Sequence, residues 1–271
     1  MYNPKIDPLI HINLIHLVIN MFLKKTLKLP PNIFEELSKS ANFQDVTGGR
    51  VGTVLVSPKG NSIPIVRTTT KYNVPAQPFQ DIHFQVIQQI KEQFKELENI
   101  EFNNALIEIY DPKYKKMGYH SDQAIDLADD SYICLFSCYE DVENYTKDIR
   151  KLVVKEKGQS DDTAKDILLE NNSCVLFSTD TNKRHLHKIV LHGQNSTCRW
   201  FGLTLRLSKT YINFDGNTPV FEATGKPLQL CDEKEKQIEF YKMRSQENKL
   251  VDYRYPDIDY TISKSDLMFV E

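Results

Sequence analysis

Between Ala105 and Leu207 the chain reads as eight short β-rich runs: ALIEIY, MGYHSD, SYICLFSCY, RKLVVKEK, KDILLEN, SCVLFS, HKIVLHG and CRWFGLTLRLS. Turn residues or charged loops separate most of them. Eight such runs predict a closed or double-sheet barrel, which leaves few exposed edges and a mouth where a small ligand can sit. The hydrophilic stretch Lys155 to Lys165 (KEKGQSDDTAK) reads as a solvated turn.

The flanks are of a different kind. Pro30 and Pro31 precede an apolar-periodic helix with Asn32 at its cap. Two short strands then follow around the turn Pro58-Lys59-Gly60-Asn61. From Asp81 to Leu97, Ile82, Val86, Ile90, Phe94 and Leu97 recur every three or four residues, an amphipathic helix suited to cover one face of a sheet. His83 on that helix reads as structural. Beyond Lys209 come a charged helix and the tyrosine-rich tail VDYRYPDIDYTISKSDLMF, whose aromatics predict packing on the domain or on a partner. The expectation is a mostly β fold with flanking helices, a jelly-roll barrel. It divides into an N-terminal extension (1–28), a core (29–210) and a C-terminal extension (211–271).

With 271 residues, 40% hydrophobic and 26% charged, the chain can bury one substantial core. A net charge of −3 provides no global basic field for duplex nucleic acid, although a local basic groove is compatible with it. Five cysteines without a CxxC pattern predict free thiols and a reducing, intracellular setting. The apolar stretch Leu9 to Leu23 is interrupted by His11, Asn13, His16 and Asn20 and is shorter than the roughly twenty residues of a membrane span. No membrane association is expected, and Met21 is an alternative start.

Two segments carry the chemistry. MGYHSD supplies His120 and Asp122, two apart on a strand and therefore on one face. RHLHKIVLHGQNSTCRWFGLTLR supplies further histidines and then arginines. Two imidazoles and a carboxylate on one face leave the other face of an iron(II) ion open for a chelating acid and O2. An acidic co-substrate also needs a cation, which arginine provides with two-point geometry. His187, at the start of a β-branched strand, is favoured as third ligand over His185 and His192.

These residues resemble the iron(II)/2-oxoglutarate dioxygenase superfamily, whose fold is a double-stranded β-helix of eight strands. The likeness covers roughly residues 63–210, with HSD at 120–122 and His187 matching the metal motif. Within the superfamily it is greatest to AlkB-like enzymes, through IEIY ending at Tyr110, GLTLR ending at Arg206, and IPIVRTTTKY ending at Tyr72. The resemblance implies that His120, Asp122 and His187 hold Fe(II). It implies that 2-oxoglutarate chelates the metal while its far carboxylate pairs with arginine and Tyr110. O2 is consumed, succinate and CO2 are released, and the substrate is hydroxylated. Tyr72, Arg67 and Lys71 are the implied substrate-binding lip.

Two departures stand out. AlkB-like proteins carry two inward arginines six apart on the last strand, whereas Arg199 and Arg206 are seven apart. A bulge at Trp200-Phe201 brings both inside; without it Arg206 faces in with Thr204 and Gly202, and Arg199 faces out. Both remain candidates, Arg206 first. Glu108 replaces an asparagine near the co-substrate, and its charge predicts pairing with an arginine.

The reading is a hydroxylase or oxidative dealkylase acting on alkylated nucleobases or on a protein side chain. The prolyl-hydroxylase-like branch has less support, because Gln194, Asn195, Ser196 and Thr197 stand where it places a basic residue. A catalytically silent binding module would have lost a metal ligand or the arginine, and neither is lost.

Overall fold

Seven of the eight β-rich runs form strands, and the one that does not is the run bearing His120 and Asp122. The computed structural model describes residues 21–193 and 197–270. The stretch 9–20 and the choice of start therefore lie outside the described residues. Among the described residues no helix is long and apolar enough to cross a membrane.

The strands of four residues or more are β1 (Leu23–Thr26), β2 (Gln44–Thr47), β3 (Arg50–Val56), β4 (Asn104–Tyr110), β5 (Tyr132–Tyr139), β6 (Arg150–Glu156), β7 (Lys165–Leu169), β8 (Ser173–Ser178), β9 (His185–Leu191), β10 (Trp200–Arg206), β11 (Tyr211–Asp215) and β12 (Thr218–Phe221). The helices are α1 (Ile33–Ser38), α2 (Asp81–Gln93), α3 (Thr179–Arg184) and α4 (Lys234–Glu247). The main sheet runs β1-β8-β5-β10-β4-β3-β2, antiparallel along this path, with Gln77–Pro78 added in parallel beside β3. A second sheet, β9-β6-β7, is also antiparallel.

Period-two alternation explains the layering. Ile107, Cys134, Phe136, Cys174, Leu176, Phe201, Leu203 and Leu205 point from the main sheet onto α1 and α2. Their neighbours Tyr110, Leu135, Val175, Phe177 and Trp200 point the other way, onto Leu152, Val154, Leu169 and Ile189 of the second sheet. A strand covered on both faces reads as a near-continuous apolar run, as these do.

Of the two expected forms, the double sheet is what folds. The sheets keep open edges and no closed barrel forms among the described strands. The reason is local. Residues 115–120 pair with β9 through two isolated bridges, Lys116–Val190 and His120–His187, and not a continuous ladder, so the second sheet lacks a regular fourth strand.

The flanking expectations fare unevenly. Asn32 sits at the N-cap of α1 but its side chain makes no capping hydrogen bond. His83 is structural: Gln80 N donates to its Nδ1, so Nε2 carries the proton and meets Ser40 Oγ at 2.8 Å. All five cysteines are free and buried. In the C-terminal segment Gln229–Leu230 pairs with Tyr260–Thr261, and Phe240 and Met243 of α4 are buried.

Candidate metal centre and cavity

Between the two sheets opens a cavity of about 630 Å³, and His120, Asp122 and His187 lie on its wall. Their ligand atoms are all within 4.8 Å of one another. Asp122 Oδ1 is 3.4 Å from His187 Nε2 and 4.0 Å from His120 Nε2. The two histidines form a reciprocal backbone pair, His120 N to His187 O at 2.9 Å and His187 N to His120 O at 2.7 Å. That pairing brings together imidazoles 67 positions apart in the chain, with ring centroids separated by 4.6 Å.

The protonation states suit a cation. Burial, His187 and Arg244 push the His120 imidazole down to about 3, so it is neutral and free to ligate. Burial alone would raise Asp122, but Arg206, His187 and His120 outweigh it and hold the carboxyl well below the usual range. Two imidazole nitrogens and one carboxylate oxygen, crowded on one side of an open cavity, are the donor set that iron(II) accepts while keeping positions free.

The other histidines are elsewhere. His185 is buried with Nδ1 against Thr181 O at 2.9 Å and its ring edge-on to Phe22. His192 is exposed at the far end of β9.

Four residues hold the Asp122 segment from outside, and the reading of the sequence named none of them. Asn182 on α3 brackets Asp122, accepting from its N and donating to its O, each at 2.8 Å. Glu247 on α4 accepts from Ala124 N at 2.8 Å. Asn248 Oδ1 accepts from Ser121 N at 3.1 Å, and Arg244 Nη2 donates to Ser121 O. Arg244 and Asn248 also line the cavity. The buried stripe Phe240, Met243, Glu247 of α4 has three- and four-residue spacing, a signal that could have pointed to Glu247. Asn182 has no such signal.

The arginines divide sharply. The β10 register runs unbroken against both β4 and β5, so there is no bulge at Trp200-Phe201. Arg206 therefore lies inside with Thr204, its Nε 2.9 Å from Asp122 Oδ2 but without a directed hydrogen bond. Arg199 is corrected to the outer surface, where it pairs with Glu140 at 2.6 Å. Glu108 does pair with an arginine, Arg50 on β3, and it also accepts from the Tyr110 hydroxyl at 2.8 Å. Tyr110 is on the cavity wall, but its hydroxyl is engaged.

The expected lip is also corrected. Arg67 is buried in a two-point pair with Asp126 (Nη2 to Oδ1 at 2.8 Å) and donates to Ile258 O, away from the cavity. Lys71 reaches Gln237 at 2.9 Å. Tyr72 is buried, its backbone tied to Ser263, with its hydroxyl inward near Arg50 and Glu108. These three residues, from one short segment, serve to dock the C-terminal segment. The cavity wall instead includes Thr68, Thr69, Thr70, Lys116, Tyr119 and Arg244. The Tyr119 ring carries Lys188 Nζ at 3.9 Å and Lys155 Nζ at 4.5 Å from its centroid.

Of the likenesses to known proteins, the family match is the one that bears on this chemistry. The solved structure titled "The structure of OsALKBH1" is 15% identical, with a TM-score of 0.42, covering 69% of this chain and 97% of that one. Among curated proteins none matches. The family model for the 2OG-Fe(II) oxygenase superfamily matches residues 36–211, a span that includes all three candidate ligands and Arg206. The chain belongs to the 2OG-Fe(II) oxygenase superfamily.

Proposed function

We propose that this dioxygenase is AlkB-like and hydroxylates or oxidatively dealkylates an alkylated nucleobase presented in a single strand. Family membership implies Fe(II), 2-oxoglutarate and O2, which together supply the oxidising power and leave succinate and CO2. The residues fit the metal, which His120, Asp122 and His187 would hold. Arg206 keeps Asp122 ionised, and the apolar floor of Leu135, Leu152, Phe177 and Ile189 keeps water from the reacting face.

The observation that carries the substrate class is the wall of the cavity. Its volume admits a base, and its wall carries the aromatic rings of Tyr114 and Phe177 together with the cations Lys116 and Arg244. Aromatic faces beside cations are what single-stranded nucleic acid needs, a stacking surface and charge for its phosphates. The test is succinate release scored against a panel of alkylated oligonucleotides and of peptides, with His120→Ala as control. Release that depends on an oligonucleotide supports the proposal. Release with peptides alone transfers the enzyme to the protein hydroxylases.

A further inference from the structure

Every buried or half-buried arginine around the cavity has a carboxylate beside it, with one exception. Arg206 has Asp122, Arg50 has Glu108, and Arg244 has Glu247. Arg150, the first residue of β6, is 1% exposed and has no carboxylate within ion-pair distance among the described residues. Its Nη1 donates to Tyr114 O at 2.9 Å and its Nη2 to Asp111 O at 3.1 Å, while the Asp111 carboxylate takes the N–H of Lys113 instead. The Arg150 Nε has no partner at all.

An arginine desolvated without a counter-charge is costly, by several kcal/mol or more. Burial lowers its pKa despite neighbouring tyrosines. Its surroundings soften that cost only in part: the guanidinium lies 5.0 Å from the Tyr110 ring centroid and 5.9 Å from that of Trp200. The Trp200 Nε1 is a second buried donor without a partner. Two unsatisfied donors and an uncompensated positive charge thus sit together where β6 and β10 begin.

The position is suited to one ligand. Val154 of β6 pairs with His187, and Arg150 lies four residues away on the same inward face. That separation is about 13 Å. An arginine side chain of about 6 Å and an extended five-carbon diacid of about 5 Å between carboxyl carbons together cover most of it. Leu152, which lines the cavity, lies between the metal cluster's rung and Arg150, and Arg150 and Trp200 stand directly behind the lining residue Tyr110.

We infer that Arg150, with Trp200 Nε1, receives the far carboxylate of 2-oxoglutarate, the role that the outward Arg199 cannot fill. This assignment rests on the oxygenase reading above. It concerns binding, and Arg150 is a binding residue for the co-substrate.

The test uses the full chain, loaded without O2 with Mn(II) as a redox-silent metal. It compares 2-oxoglutarate with 2-oxovalerate, which keeps the keto acid but ends in a methyl group. Trp200 is the only tryptophan and lies beside Arg150, so intrinsic emission reports on the surroundings of that guanidinium. The expected result is that 2-oxoglutarate binds about a hundred-fold tighter than 2-oxovalerate and that it alone changes the emission. In Arg150→Gln the preference should collapse to about three-fold, with Mn(II) affinity unchanged; Arg199→Ala should keep it. A full preference in Arg150→Gln, or its collapse in Arg50→Gln instead, overturns the assignment. Where Arg150→Gln does not fold, the native protein decides: equal emission changes with the two keto acids overturn it. Binding of neither keto acid removes the oxygenase reading itself, and this assignment with it.

Discussion

Asn182 grips the backbone of Asp122 from both sides, its Oδ1 2.8 Å from Asp122 N and its Nδ2 2.8 Å from Asp122 O. The amide thus stands in for a strand neighbour at the point where the regular ladder stops. It also joins the two ligand-bearing segments, because α3 leads directly into β9 and His187.

Replacing Asn182 with Ala leaves a buried N–H and C=O of a metal ligand unpaired. Outer partners of this kind are worth about ten- to a hundred-fold in metal affinity. Asn182→Ala should weaken Fe(II) or Mn(II) binding by that factor in an anaerobic titration. A fall in melting temperature with unaltered metal affinity would make Asn182 a scaffold residue only.

Glu247 is 5% exposed and accepts from Ala124 N, Arg244 Nη1 at 2.8 Å and Tyr255 OH at 2.7 Å. Glu247→Ala strands three donors, one of them charged, at a cost of about 2–4 kcal/mol in chemical denaturation. Glu247→Gln retains an acceptor for Ala124 N and should lose less. Equal losses in the two variants would show that packing, not the acceptor, sets the effect.

How far the sequence foretold this site depends on the distance over which each contact acts. Side-chain period two offered two arrangements, and the unbroken register of β10 selects the one with Arg206 inside beside Thr204 and Gly202 and Arg199 outside. The same period marked the eight runs, though it missed that MGYHSD leaves the ladder. Arg67, Lys71 and Tyr72 were misplaced because neighbouring residues in an extended segment can each turn to a different partner. Arg67 found Asp126, 59 residues on, and Lys71 found Gln237, 166 residues on. No local pattern announces contacts of that reach. The unpaired state of Arg150 is likewise a property of what surrounds it in space.

Stability should carry two opposing pH dependences. His83 is depressed from 6.5 to about 4 by burial. The unfolded chain then takes up this proton first, so the contribution is full above pH 6.5 and is lost as pH falls toward 4. A second proton on the ring would also set Nδ1–H against Gln80 N–H. Asp266 is raised from 3.8 to about 7 by burial, and by Asp126, against Thr261 and Arg67. Here the folded chain holds the proton, so its contribution is full below 3.8 and is lost as pH rises toward 7. Relative to the parent, His83→Gln should lose stability more as pH rises from 4.5 to 6.5, and Asp266→Asn should gain more. Denaturation midpoints at the two pH values give the comparison; parallel behaviour of all three proteins would remove both assignments.

Gly202 has no room for a side chain, because a Cβ there would run into the Trp200 indole lying across it on the inner face of β10. The glycine is needed for this close approach rather than for its backbone angle. Gly202→Ala must push the indole away, a form of overpacking that costs about 1–3 kcal/mol. Trp200 Nε1 is buried without a partner, so a displaced ring should change emission even before ligand is added. The expected outcome is lower stability with a shifted Trp200 spectrum. An unshifted spectrum with lower stability would mean that the strand moved and the ring stayed. In that case Trp200 is held by its contacts with Tyr110 and Arg150 more firmly than β10 is held by its neighbours.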